Sequence, residues 1–295
     1  MDGVHRLIRR RCLGTLISAA VVAVCVCIGV TMNLTTIYDA NFDHMGIRTF
    51  CMFTVNSNIL CGIGMLMVLP YAIDGLRTKN FHLPNWVVDL LFAGVTAVAL
   101  TFLVSLFILS PVKGFELIFS GSRFFLHGLC PILAIIAFCY FMPNHVITRH
   151  EFVFALIPVF LYSVVYYVMV VIIGPSRGGW DDFYGFVTRI PAWISLVLIM
   201  PITLGIAFVL RHFHNRSCRS VRRREAELYE REFAGEKTEE LIADVARRLV
   251  FDKKAGTILV PVWLLKIVIR DSGSDMDLAT ASDLFLEAAL KEISR

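Results

Sequence analysis

Six stretches of the chain carry no Asp, Glu, Lys or Arg. They lie between Arg11 and Asp39, Arg48 and Asp74, Asp89 and Lys113, Arg123 and Arg149, Glu151 and Arg177, and Arg189 and Arg211. Each leaves about 20 or more uncharged residues, enough for a helix to cross hydrocarbon roughly 30 Å thick. A single charge at the centre of such a helix costs roughly 2.5 to 3.5 kcal/mol, so the spacing of charges is itself the span map. The pattern predicts an all-α integral membrane protein, a six-transmembrane helix bundle with spans at about 12–32, 50–73, 87–110, 124–143, 152–174 and 190–210. Residues 1–11 are a basic N-terminus, 12–211 the membrane domain and 212–295 a small cytoplasmic C-terminal extension.

Composition sharpens this division. Of 295 residues 57% are hydrophobic and 18% charged, and the mean hydropathy is +0.71, which excludes an ordinary soluble domain. Of the 28 Lys and Arg and 24 Asp and Glu, only 16 fall at residues 12–210 and 31 at 211–295. The net charge of +4 is modest, and the basic residues cluster beside apolar runs. That placement points to anionic lipid headgroups as partners and not to a nucleic acid. Arg9 to Arg11, Arg77 with Lys79, Arg149, and Arg211 to Arg224 would all lie on one side, which puts both termini in the cytoplasm, with a bacterial plasma membrane as the expected location. The first apolar run is too long for a signal peptide and reads as a retained helix.

Within the tail, residues 221–251 read as a charged amphipathic helix and Thr257 to Ile269 as a buried strand or interfacial segment. Asp277 to Ser294 reads as a last helix. The tail could also serve as a dimer contact, making a homo-oligomer possible. The eight cysteines fall mainly in or beside spans and include no CxxC pair, so free thiols are expected and no zinc site is indicated by their spacing. No metal or organic cofactor is implied.

Polar residues inside apolar helices carry the chemistry, because each must find a partner or face water. In span two Thr54, Ser57, Asn58 and Cys61 recur at three- and four-residue steps and share one helix face. In span four His127 is the one histidine well inside a predicted span, with Gly128 and Pro131 beside it. Both groups admit a packing role, through side-chain bonds to backbone and a proline kink. They also admit a chemical one. Thr54 lies six residues past Arg48 and His127 four past Arg123, about 9 and 6 Å deep at roughly 1.5 Å per residue. At similar depth a histidine can serve as base to a threonine nucleophile, with Asn56, Ser57 or Asn58 as oxyanion donors. A third group, Trp180, Asp181, Asp182 and Tyr184, lies in the last outer loop. It reads either as an interfacial aromatic belt or as a cover over the outer mouth, with an acid orienting His127 or pairing with Arg48 or Arg123. No lysine lies within a span to hold retinal, and no Gly-x-Ser-Gly accompanies the histidine as in a rhomboid-type protease.

The segment Phe53-Thr54-Val55-Asn56-Ser57-Asn58 resembles the Phe-Thr-x-x-Ser-Asn signature of the androgen-induced-gene family of six-span membrane lipid hydrolases and its bacterial relatives. His127 with Pro131, the Ile157 to Tyr162 stretch and Trp180 to Phe186 are similar to that family's fourth-span, fifth-span and final-loop patterns. The resemblance covers residues about 45 to 210. For animal members it implies hydrolysis of fatty-acid esters of hydroxy fatty acids by a threonine nucleophile with a histidine partner, roles that carry over to Thr54 and His127. The Ser57-Asn58 pair looks more like the bacterial branch. The expected function is therefore a lipid ester hydrolase acting on a membrane lipid or acyl ester, with a non-enzymatic lipid-binding, transport or scaffold protein as the alternative.

Overall fold

A computed structural model describes residues 2–35, 46–79, 81–185 and 192–232. All regular structure among them is helical. Five helices are long and apolar enough to cross a membrane: α1 (Asp2–Thr35, apolar from Gly3), α2 (Phe53–Thr78), α3 (Asn85–Lys113), α4 (Gly121–Phe141) and α5 (Glu151–Ile173). The expected sixth span falls on α6 (Ala192–Glu232), although residues 190 and 191 lie outside the described part. The helix expected over 221–251 is described only to Glu232, where it continues α6, and the remaining tail elements lie outside the described residues. The chain divides into a bundle of residues 10–219 and a second unit of residues 1–9 and 220–295, in which Arg223 and Glu227 pair one helical turn apart. Large apolar side chains such as Ile17, Val24, Phe107 and Ile172 face outward, as lipid contact requires.

Helices α2 and α3 approach closely because small residues meet there, the usual way for membrane helices to gain packing energy without a hydrophobic driving force. A Cβ on Gly94 would lie 2.9 Å from the Cα of Cys61, and one on Gly64 would meet Leu91. Ser57 and Thr101 bond hydroxyl to hydroxyl across the same seam at 3.0 Å. Helix α1 packs by the same device, with Gly29 against Leu126 and Phe125, and Gly14 against the Phe141 ring.

Helices α3, α4 and α5 contain wide π turns at Ser105–Leu109, Phe124–Leu129, Ala137–Phe141 and Val168–Ile173. Each is followed by one residue and then a proline. The N–H groups of Ser110, Cys130, Met142 and Gly174 reach back five residues, and Pro111, Pro131, Pro143 and Pro175 follow them. A proline ring crowds the preceding turn and supplies no donor, so widening the helix relieves the clash but strands a carbonyl. In α4 the Leu126 carbonyl would normally accept from Cys130, whose N–H goes to Phe125, and the next residue has no N–H at all. Asn58 of α2 fills the gap, donating from Nδ2 to Leu126 O at 2.9 Å. The same happens one π turn later. Met142 N–H goes to Ala137, and the Phe138 carbonyl is met by His214 Nδ1 of α6 at 3.0 Å.

Two outcomes test these contacts. Asn58→Ala lowers stability by about 1 kcal/mol, the worth of one buried hydrogen bond, and adding Pro131→Ala recovers part of the loss by restoring a backbone donor. Thermal unfolding of the single and double variants in detergent reads both effects. Gly94→Ala costs about 1–3 kcal/mol in the same assay because its methyl would strike the backbone of Cys61.

Candidate functional site

The first turn of α2 carries Thr54 and is held from outside its own helix. Met52, the residue before the helix, provides no side-chain cap, so the first N–H groups need other partners. Tyr184, from the loop after α5, provides one: its hydroxyl accepts from Phe53 N at 2.9 Å and lies beside the Thr54 side chain. Tyr162 of α5 donates to Cys51 O at 2.7 Å, just before the helix starts. Tyr166 donates to Asp182 Oδ1 at 2.6 Å, which fixes the loop that carries Tyr184. The rings pack as a cluster, with Tyr162 lying 5.0 Å from Phe53 and 6.4 Å from Trp180, and Tyr166 5.7 Å from Tyr184. Burial raises the Tyr184 phenol above its ordinary value despite the opposing hydrogen bonds, so it is a neutral hydroxyl.

Thr54 and His127 are both buried at 7% exposure. No hydrogen bond joins them. His127 lies within the π turn Phe124–Leu129, and its Nδ1 lies 3.1 Å from the carbonyl of Ile118, in the short helical turn Phe115–Ile118. As a donor to that carbonyl, Nδ1 carries the proton and Nε2 keeps its lone pair, the tautomer a general base needs. The Phe119 ring meets the imidazole edge-on at 6.4 Å. Asn58 links the two neighbourhoods, because its Nδ2 donates to Thr54 O and to Leu126 O, the carbonyl next to His127.

The other polar groups expected to help an oxyanion are committed elsewhere. Asn56 Nδ2 donates to Phe50 O at 2.8 Å, Ser57 is shared between Thr54 O and the Thr101 hydroxyl, and Asn58 spends its amide hydrogens on two carbonyls. Asn58 Oδ1 is buried with no partner. The donors nearest Thr54 are instead the α2 N-terminus and the Tyr184 hydroxyl. The positive end of a helix dipole favours negative charge at that place. In the outer loop, Trp180 and Tyr184 join the aromatic cluster, Asp182 takes the Tyr166 hydroxyl and Asp181 is exposed. Neither acid bonds His127. Sequence analysis missed Tyr166 and the role of Tyr162 as an anchor, since both lie within the fifth span with no spacing signal to single them out.

A second polar region lies at the opposite end of the bundle, around the loop between α4 and α5. Arg11 donates to Pro143 O at 2.6 Å and Thr15 to Phe141 O at 2.6 Å. Asn215 accepts from Ile147 N and donates to Ile147 O, and Arg211 donates to the same carbonyl. His214 is fully buried, stacked 4.3 Å from Phe138. An apolar groove of about 490 Å³, lined by Ala99, Leu103, Ile135, Cys139, Gly205 and Leu210 among others, opens between α3, α4 and α6 and touches neither Thr54 nor His127.

Replacing Tyr184 with Phe removes the acceptor at the α2 N-terminus while keeping the ring. The Phe53 and Thr54 amides then exchange hydrogen faster, and stability falls by about 1 kcal/mol, the usual cost of a lost helix cap. Hydrogen exchange with peptide-level mass analysis gives the readout, with peptides from α3 as the unchanged reference.

Comparison with protein-family models, curated proteins and solved structures gives no match to this chain. The likeness to the androgen-induced-gene family accordingly rests on the residue patterns quoted above.

Proposed function

We propose that the chain is an integral-membrane ester hydrolase whose nucleophile is the Thr54 hydroxyl and whose base is His127 Nε2, acting on a membrane lipid or other acyl ester near the outer face. The observation that carries this reading is the first turn of α2. There a buried threonine hydroxyl sits at a helix N-terminus, beside a neutral tyrosine, with a histidine in the correct tautomer on the adjoining helix. Thr54 attacks the ester carbonyl, and His127 takes the hydroxyl proton and returns it to the departing alcohol. Water then releases the acid by the same exchange. The oxyanion is met by the helix N-terminus and Tyr184, in place of the committed side chains of Asn56, Ser57 and Asn58. Closing the gap between Thr54 and His127 requires either the substrate or a rearrangement of the α4 π turn, which apo sites commonly show. The apolar helix surfaces and the groove between α3, α4 and α6 suit acyl chains.

This reading carries the finer architecture with it. The first half of α6 is the sixth span, both termini face the cytoplasm, the arginines from Arg211 to Arg224 meet anionic headgroups, and the membrane is a bacterial plasma membrane. A second reading, a non-enzymatic lipid-binding or transport scaffold, draws support from the way Asn56, Ser57 and Asn58 spend their donors on bonds that hold helices together.

Labelling with a fluorophosphonate probe distinguishes the two. Wild type in detergent is labelled, Thr54→Ala abolishes labelling, and His127→Ala reduces it by about 10²-fold or more. Equal labelling of all three assigns the chain to the scaffold class.

A further inference from the structure

At the end of the bundle opposite Thr54, three groups that the hydrolase reading does not use converge: Asp89 near the start of α3, His145 in the loop between α4 and α5, and Glu151 in the first turn of α5. One potential ligand atom from each lies within 4.8 Å of those of the other two. His145 Nε2 is 3.0 Å from Glu151 Oε1. That separation is about the edge between neighbouring ligands held roughly 2.1 Å from a metal at near a right angle.

The hydrogen bonding of this cluster is incomplete in a particular way. Asp89 Oδ1 and His145 Nδ1 are both wholly buried without any hydrogen-bond partner. Bound to an ion through Nε2, the imidazole would carry its proton on Nδ1 and exchange the hydrogen bond to Glu151 for a shared cation. Asp89 Oδ1 remains a buried electron-pair donor with nothing to bond. Among the described residues no Lys or Arg pairs with Asp89 or Glu151, so the two carboxylates share one imidazole in a half-buried place, where charge without a partner is costly.

The surroundings hold the three groups in place independently of one another. Glu151 closes a capping box with Thr148, its Oε2 accepting from Thr148 N at 2.6 Å, which leaves Oε1 directed to the cluster. The His145 carbonyl accepts from Cys218 Sγ at 3.3 Å. Asn144 ties the loop to Leu83 O, just ahead of α3. A site whose ligands are fixed by other bonds needs little ordering when a metal arrives.

We propose that Asp89, His145 and Glu151 bind a divalent first-row transition cation, zinc being the probe of choice, and that the ion staples α3, the α4–α5 loop and α5 together. Two carboxylates neutralise the double charge. The imidazole nitrogen selects such a cation over magnesium or calcium, which take oxygen. The site is separate from Thr54 and His127 and stands whether or not the chain hydrolyses esters.

The test uses the full chain in detergent, produced without a polyhistidine tag and stripped with a chelator. Wild type takes up one equivalent of Zn²⁺ by calorimetry, and its unfolding midpoint rises by several degrees and falls back with EDTA. Magnesium at the same concentration has no effect. Asp89→Asn, nearly isosteric, and His145→Gln each weaken zinc binding at least about tenfold and lose the thermal shift. Wild type that binds no zinc, or variants that bind and shift as wild type does, overturn the proposal. Should a variant not yield a monodisperse peak on gel filtration, wild type alone decides through Co²⁺: a visible absorption band saturating at one equivalent supports the site, and a featureless titration sinks it.

Discussion

A carbonyl oxygen inside hydrocarbon has no water to turn to, and each proline that follows a π turn in α3, α4 and α5 takes one helical donor away from such an oxygen. The bundle answers from neighbouring helices. Asn58 reaches from α2 to Leu126 and His214 from α6 to Phe138, so both π turns of α4 are matched by a polar side chain on another helix. Those bonds fix where α2 and α6 stand against α4. They also set the environment of His127, whose ring sits in the same widened turn that frees Leu126. Two of the buried polar residues of this membrane domain, Asn58 and His214, are thus the complement of proline positions.

Two polar ends result, and they are built differently. At the Thr54 end, tyrosines from α5 and the following loop hold the start of α2, and the contacts are hydroxyls within an aromatic cluster. At the other end, arginine and asparagine side chains grip backbone carbonyls of the α4–α5 loop, leaving His145 to face Asp89 and Glu151. Between them the α2–α3 seam is closed by glycine and by the Ser57–Thr101 pair, so the two ends are joined through a tightly packed middle.

Span positions were legible because charge exclusion acts over twenty residues at a time: α4 and α5 begin and end within three residues of the expected limits. Helix α1 starts earlier, at Asp2, since helix formation does not stop where the apolar run does. The shared face of Thr54, Ser57 and Asn58 was also readable, and all three are buried. What the pattern could not give was the partner of each group. Asn58 serves Leu126 only because Pro131 widens α4, and a 3.6-residue count cannot anticipate a five-residue bond. His214 lies past the charged boundary at Arg211 and so reads as tail, yet it is among the most buried side chains in the bundle. Asp89, His145 and Glu151 are scattered over more than sixty residues and carry no motif spacing; only the fold brings them together.

The Tyr184 hydroxyl has one further consequence. Because a loop residue caps α2, the loop cannot swing aside without leaving the opening amides of that helix unpaired. Access to the threonine and order in its backbone therefore share a single equilibrium: whatever exposes the hydroxyl frays the turn that presents it, and a guest that brings its own acceptor to those amides would offset the cost of admission.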